Sequence, residues 1–317
     1  MALAAISFAV GNVYDQAATQ NINRPDAWVA ASLQSIPVFL YGLIGFLFFV
    51  PKATKSSPVT LYSSPLSSWA LFAIAGVITQ AGTAAFFQAL IETKYQGLSI
   101  TLPFVQTWEL MAIFIAAIFL KEKPAWTVYV GMLIVVVGLA GITLFNATTP
   151  PLDAPNWWLA IPYGLAAAAC WATSSILARS AMRQGVNPFG GLAVQYLFGG
   201  VSAFIMVLVQ GNLAKFGLTG EVFWYVMGGA VINGILATGF LTFALRVSPA
   251  HKVLPINAVY PALATLLGAM FLGNKVEILA FLCMLVVAGG LVFAQIGTRL
   301  FKSEDVGIST RETVTTQ

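Results

Sequence analysis

The stretch from Trp69 to Leu90 runs for 22 residues without a charge, and so do Ala125 to Asn146 and Val253 to Asn274. At 1.5 Å of rise per residue, about 20 helical residues cross the roughly 30 Å hydrocarbon core of a bilayer. Runs of this length predict membrane-spanning helices, and composition agrees. Only 8% of the 317 residues are charged and 59% are hydrophobic, whereas a soluble domain carries about a quarter of its residues as Asp, Glu, Lys and Arg. The chain reads as an all-α integral membrane protein, with the lipid bilayer as its first partner. Its net charge of +4 does not point to nucleic acid, because Lys and Arg are scattered singly or in pairs rather than gathered on a phosphate-tracking face.

Punctuation by Pro, Gly and charge divides the sequence into ten predicted spans at 2–21, 28–50, 68–91, 98–119, 125–146, 157–182, 188–210, 222–246, 253–273 and 277–298. The chain opens straight into apolar sequence without a basic leader, so the first segment reads as a retained span. Positive residues in short loops favour the cytoplasmic side. With the N-terminus inside, eleven Lys and Arg fall in inner positions and four, Arg24, Lys94, Lys215 and Lys275, in outer ones. Both termini are therefore expected in the cytoplasm, of a plasma or inner membrane, although an organellar membrane fits the same pattern. Trp69, Trp157 and Trp158, at span starts, are expected to be interfacial anchors.

The segment AIFLKEK at 117–123 returns as AMFLGNK at 269–275. Set against each other without a gap, residues 102–139 and 254–291 share 12 identities in 38 positions, among them Pro103 with Pro255, Phe119 with Phe271 and Gly138 with Gly290. This is an internal repeat. Weaker echoes lie upstream, where SFAVGN at 7–12 aligns with CWATSS at 170–175, and Gln80 falls opposite Asn233. Each copy holds five spans, and an odd number inverts the second copy in the membrane. The domain reading is a first five-helix repeat at 1–147, a linker at 148–156, a second, inverted repeat at 157–298 and a disordered tail at 299–317. Inversion also explains the charge lost between the copies, since Lys121 and Glu122 sit on the cytoplasmic side and their counterparts do not.

Two inverted five-span halves, Trp171 with Phe8 in its place in the first half, and FLKEKP closing the fourth span resemble the drug/metabolite transporter superfamily, EamA type. The resemblance covers residues 2–298. Glu122 matches a recurrent family glutamate, while Asn274 departs from it in the second half. The resemblance implies a central cavity lined by the first, third, fourth, sixth, eighth and ninth spans, with the fifth and tenth at the periphery, and a monomer or weak homodimer.

An ionisable side chain inside a membrane is costly and marks function by default. Glu109 lies midway along the fourth span, one turn from Gln106, with Trp108 opposite Tyr260 in the repeat. It is the candidate substrate and proton-coupling residue; the bland alternative is a protonated acid bonded between helices. Asp15 shares a polar stripe with Asn12, Gln16, Thr19 and Asn23, and could equally stand near the headgroups. Neither acid has a charged counterpart, since Asp15 meets Ala178 and Glu109 meets Pro261. Gln80 and Asn233 suit a polar solute near the midplane, or helix–helix bonding. Trp171, Phe87 and Phe240 are candidate cavity walls, and Pro103 and Pro255 could free backbone carbonyls. His251 and Lys252 share an inner loop, and Arg179 and Arg246 lie where they can snorkel to an inner interface. Cys170 and Cys283, inside apolar runs, read as small core residues. No cofactor, metal cluster, phosphate loop or triad is legible, so an enzyme is not expected.

The expected function is a secondary active transporter of a small organic metabolite, cationic, zwitterionic or neutral, such as an amino acid or amine, working by alternating access, with Glu109 as the candidate proton or amine partner. The alternative within transport is an antiporter of phosphorylated or carboxylated metabolites using Arg179, Arg246 and Lys252. The alternative of another class is a membrane scaffold or receptor without flux. Inversion makes a direct prediction: single cysteines placed at Lys121 and at Lys275 will be labelled by an impermeant thiol reagent from opposite membrane faces, and labelling from one face would break the repeat reading.

Overall fold

The computed structural model describes residues 2–21, 24–49, 65–94, 97–121, 124–148, 155–213, 220–248, 260–274 and 278–300. It is all-helical among these residues. In chain order the helices are α1 (Ala2–Gln20), α2 (Ala27–Phe49), α3 (Leu66–Thr93), α4 (Gly97–Val105), α5 (Thr107–Phe119), α6 (Trp126–Thr148), α7 (Ala160–Arg183), α8 (Pro188–Val209), α9 (Gly220–Gly229), α10 (Thr238–Val247), α11 (Tyr260–Leu272) and α12 (Ile278–Leu300). A 3₁₀ turn at Trp157–Leu159 leads into α7, and a π-helical segment, Ala230–Ala237, joins α9 to α10. Among the described residues, six helical stretches are long and apolar enough to cross a membrane: Ala27–Leu47, Leu66–Thr93, Leu98–Phe119, Trp157–Arg183, Pro188–Val209 and Gly220–Val247.

Helix ends follow local chemistry. Asn187 caps α8, its Oδ1 accepting from the backbone N–H groups of Phe189 (2.9 Å) and Gly190 (3.5 Å), with Pro188 in the first turn where its missing N–H costs nothing. Gly185, at φ 95°, terminates α7. Its N–H bonds to Met182 O while that of Val186 reaches back to Ala181 O, the Schellman closure that only glycine enters without strain.

The expected fourth span is one membrane-length stretch, Leu98–Phe119, with an irregular turn within it. α4 carries Pro103 and ends at Val105, Gln106 forms a turn, and α5 begins at Thr107. The eighth is likewise interrupted by its π-helical turns. Pro255, Glu122, Lys123, His251, Lys252, Lys275 and residues 301–317 lie outside the described residues, and α12 continues to Leu300, two residues into the expected tail. Trp157 is not an interfacial anchor: it is buried with Ala89, Ile100 and Ala160. Trp158 is 54% exposed, and half-buried Trp69 stands edge-on to Phe46.

Helices meet through small residues. A Cβ built on Gly76 of α3 would lie 1.9 Å from the carbonyl oxygen of Gln195 on α8, and one on Gly199 would lie 2.7 Å from Gly76 O. Backbone here touches backbone, the close approach that holds helices together where hydrocarbon surrounds them. α3 also packs along α7, α2 along α8, α6 along α12, and α1 against α11 and the π-helical segment. Gly76→Ala is expected to destabilise the protein by about 1–3 kcal/mol through overpacking, read as a lowered thermal midpoint in detergent. Gly289→Ala, with no atom within 4 Å of the added Cβ, is the matched control and will not lower it.

Candidate functional site

Two apolar clusters, one around Phe72, Ala112 and Ile176 and the other around Phe86, Leu102 and Ala264, both reach Phe8 and Trp171. Beside these shared aromatics lies a cavity of about 120 Å³. One water needs roughly 10–15 Å³, so the space has room for several. Side chains from α1, α2, α3, α5, α7, α8, the π-helical segment, α10 and α11 line it.

Asp15 supplies its only carboxylate among the described lining residues, which include no Lys, Arg or His. The side chain is 1% exposed. Gln34 Nε2 donates to its Oδ1 (2.5 Å) and Asn233 Nδ2 to its Oδ2 (2.7 Å); the same Asn233 amide donates to Asn12 Oδ1 at 3.2 Å. Two glycines make this possible. A Cβ on Gly229 would stand 2.1 Å from Asp15 Oδ1, and a Cβ on Gly11 would stand 2.1 Å from Asn233 Oδ1. The widened turns of the π-helical segment carry Asn233 into this position, and Thr238 Oγ1 bonds back to its carbonyl at 3.0 Å; π-helical turns recur at functional sites.

A second polar group joins three helices. Gln195 Nε2 donates to Thr79 Oγ1 (3.0 Å) and Ser174 Oγ (3.3 Å), and those two hydroxyls bond to each other. Aromatic rings complete the walls: Phe8 stands 5.5 Å from Tyr260 and Phe86 5.6 Å from Trp171, centroid to centroid.

Of the residues singled out in the sequence, Asn12, Asp15, Gln80, Trp108, Trp171, Asn233 and Tyr260 come together around this cavity. Glu109 and Gln106 do not line it. Both are fully buried at the α4–α5 break, and neither carboxylate oxygen nor either amide atom has a hydrogen-bond partner. Gln106 lies within electrostatic reach of Glu109, without hydrogen-bonding geometry between them. Glu109 sits behind the wall, near Tyr260, which faces the cavity. Phe87 is core, packed with Ala30 and Ala84, and Phe240 is 40% exposed; neither is a cavity wall. Arg179 is buried rather than snorkelling, and Arg246, at the exposed end of α10, lies off the cavity. Missed in the sequence were Gln34, Thr79, Ser174 and Gln195, ordinary polar residues whose convergence depends on tertiary packing.

A third group lies toward the end of α1. Asn274 Nδ2 donates to Gln16 Oε1 (2.7 Å), Gln20 Nε2 donates to Asn274 Oδ1 (3.0 Å), and Gln16 Nε2 donates to the carbonyl of Lys94 (3.2 Å). It clasps α1 to the ends of α3 and α11.

Residues 158–295 match the sequence pattern of the EamA-like transporter family. The second half of the chain is similar to that family. An uncharacterized transporter of Clostridium kluyveri is 22% identical over 264 residues, covering 81% of this chain and 79% of the other. A protein of known crystal structure superposes with TM-score 0.62 at 18% identity, over 94% of this chain and 98% of that one, a likeness of fold. The protein is a multi-pass membrane protein, and the family its second half resembles is described as one of transporters.

The lone amide beside Glu109 gives a stability prediction. A buried polar group without a partner costs roughly 1–3 kcal/mol, so Gln106→Met is expected to raise the thermal midpoint. An unchanged or lowered midpoint would mean that the amide is satisfied in the folded protein.

Proposed function

We propose that the chain is a secondary active transporter that moves a small organic metabolite by alternating access, with ten spans arranged as two inverted five-helix halves at 1–147 and 157–298, joined by a linker at 148–156. The observation that carries this reading is the pairing of cavity residues across the repeat. Phe8 and Trp171, Asn12 and Ser175, Gln80 and Asn233, and Trp108 and Tyr260 are matched positions of the two halves, and all eight line the same cavity. Packing supports it too. α2 on α8 and α6 on α12 pair each span with its own counterpart, while α3 on α7 is answered by α1 on Gly220–Val247. A site shared by two inverted halves can be opened to either side by rocking one half against the other. A one-sided receptor or scaffold has no use for that symmetry.

The substrate class follows from charge. With Asp15 in the lining and the basic residues of the described chain away from it, a cationic, zwitterionic or neutral metabolite is favoured over a phosphorylated or carboxylated one. Glu109 is assigned the proton. It lies one wall away from the site, near Tyr260, so that loading or unloading a proton there can bias the break between α4 and α5. Both termini are placed in the cytoplasm, in a plasma or inner membrane.

In proteoliposomes carrying a transported substrate, Glu109→Gln is expected to abolish the dependence of flux on pH while leaving assembly intact. Flux that keeps its pH dependence in this variant would remove Glu109 from coupling.

A further inference from the structure

Asp15 is a carboxylate almost wholly withdrawn from solvent, held by two amide donors, and no cationic side chain pairs with it among the described residues. A charge so buried is costly unless a counter-charge completes it. Its surroundings are built to aim it rather than to neutralise it. Gly229 gives the carboxylate a seat that any side chain would occupy, Gly11 does the same for the Asn233 amide, and the two donors each take one oxygen. A carboxylate has about four acceptor sites, so two remain.

The rest of the lining leans the same way. Of its buried polar atoms, those lacking a hydrogen-bond partner are Gln80 Oε1 and Asn233 Oδ1, both acceptors. The hydroxyls of Thr79 and Ser174 and the Nε2 amide of Gln195 are committed to one another. The acceptor this lining offers a ligand is the Asp15 carboxylate, and a primary ammonium brings it three donors. The facing rings of Phe8, Tyr260, Phe86 and Trp171 offer a hydrocarbon body apolar walls and a cation favourable π faces.

We propose that Asp15 is the recognition centre for a primary ammonium group, so that the cavity selects amines over alcohols and carboxylates of the same shape, with Gly229 and Gly11 as positioning residues. This rests on the cavity being the transport site. Glu109 stands outside that contact.

The test is equilibrium binding to the purified full-length chain in detergent, by calorimetric titration with 2-phenylethylammonium, 2-phenylethanol and phenylacetate. The amine is expected to bind at least about tenfold more tightly than the alcohol, and phenylacetate most weakly. Asp15→Asn should weaken amine binding by more than about thirtyfold, the loss that accompanies removal of one partner from a buried charge pair. Gly229→Ala, which leaves the carboxylate in the chain but takes its seat, should weaken it as well. Asp26→Asn, a change to an acid bonded to Asn212 away from the cavity, should leave it unaltered. If Asp15→Asn is not recovered folded, Gly229→Ala carries the same test. Equal affinities for amine and alcohol, no amine binding up to tens of millimolar, or full binding by the Asp15 or Gly229 variant would each overturn the proposal. Amine binding through Asp15 without flux in vesicles would overturn the transport reading instead; flux of a metabolite that survives Asp15→Asn would leave transport standing and this site refuted.

Discussion

Hydrocarbon offers a chain no hydrogen bonds, so every backbone polar group must be satisfied inside its own helix. Nearly everything in this structure follows from that constraint. Helices become the one economical way to cross, small residues let them pack to backbone contact as Gly76 does on Gln195, and side chains with polar atoms become rare. Where such atoms converge, they do so at expense and for a reason. Asp15, Asn12, Gln34, Gln80, Gln195 and Asn233 meet around one cavity, each from a different part of the bundle except the neighbours on α1.

The departures from regular helix sit beside these groups. The π-helical turns of Ala230–Ala237 bring Asn233 to Asp15, and the break at Gln106 stands next to Glu109. Broken helices at membrane depth are tolerated where they are buried in protein or face a cavity, and both breaks here meet that condition. They also divide the two acids by place. Asp15 faces the cavity, and Glu109 is enclosed off its lining.

Much of the architecture was legible because its signals are local. Uncharged runs such as Trp69–Leu90 reveal helices by length alone, and the identities between 102–139 and 254–291 survive as a linear pattern. Asp15 and Asn233 stood out because polar residues are scarce in apolar stretches. The rest depended on what no linear pattern carries. Phe86 and Phe87 are adjacent aromatics on α3, yet one lines the cavity and the other is core; only the rotation of the helix decides between them. Glu109 looked like the central acid because it is midway along its span, but it is the neighbouring Trp108 that α5 turns to the cavity. Gln34, Thr79, Ser174 and Gln195 are unremarkable one by one and form a site only when α2, α3, α7 and α8 are packed.

The clasp between Gln16, Gln20, Asn274 and the Lys94 carbonyl is made wholly of neutral amides. Ion-pair latches loosen as salt screens them and titrate as acidity changes; amides do neither. A fastening of this kind gives α1 a hold on α3 and α11 that is indifferent to the ionic surroundings on either side of the membrane.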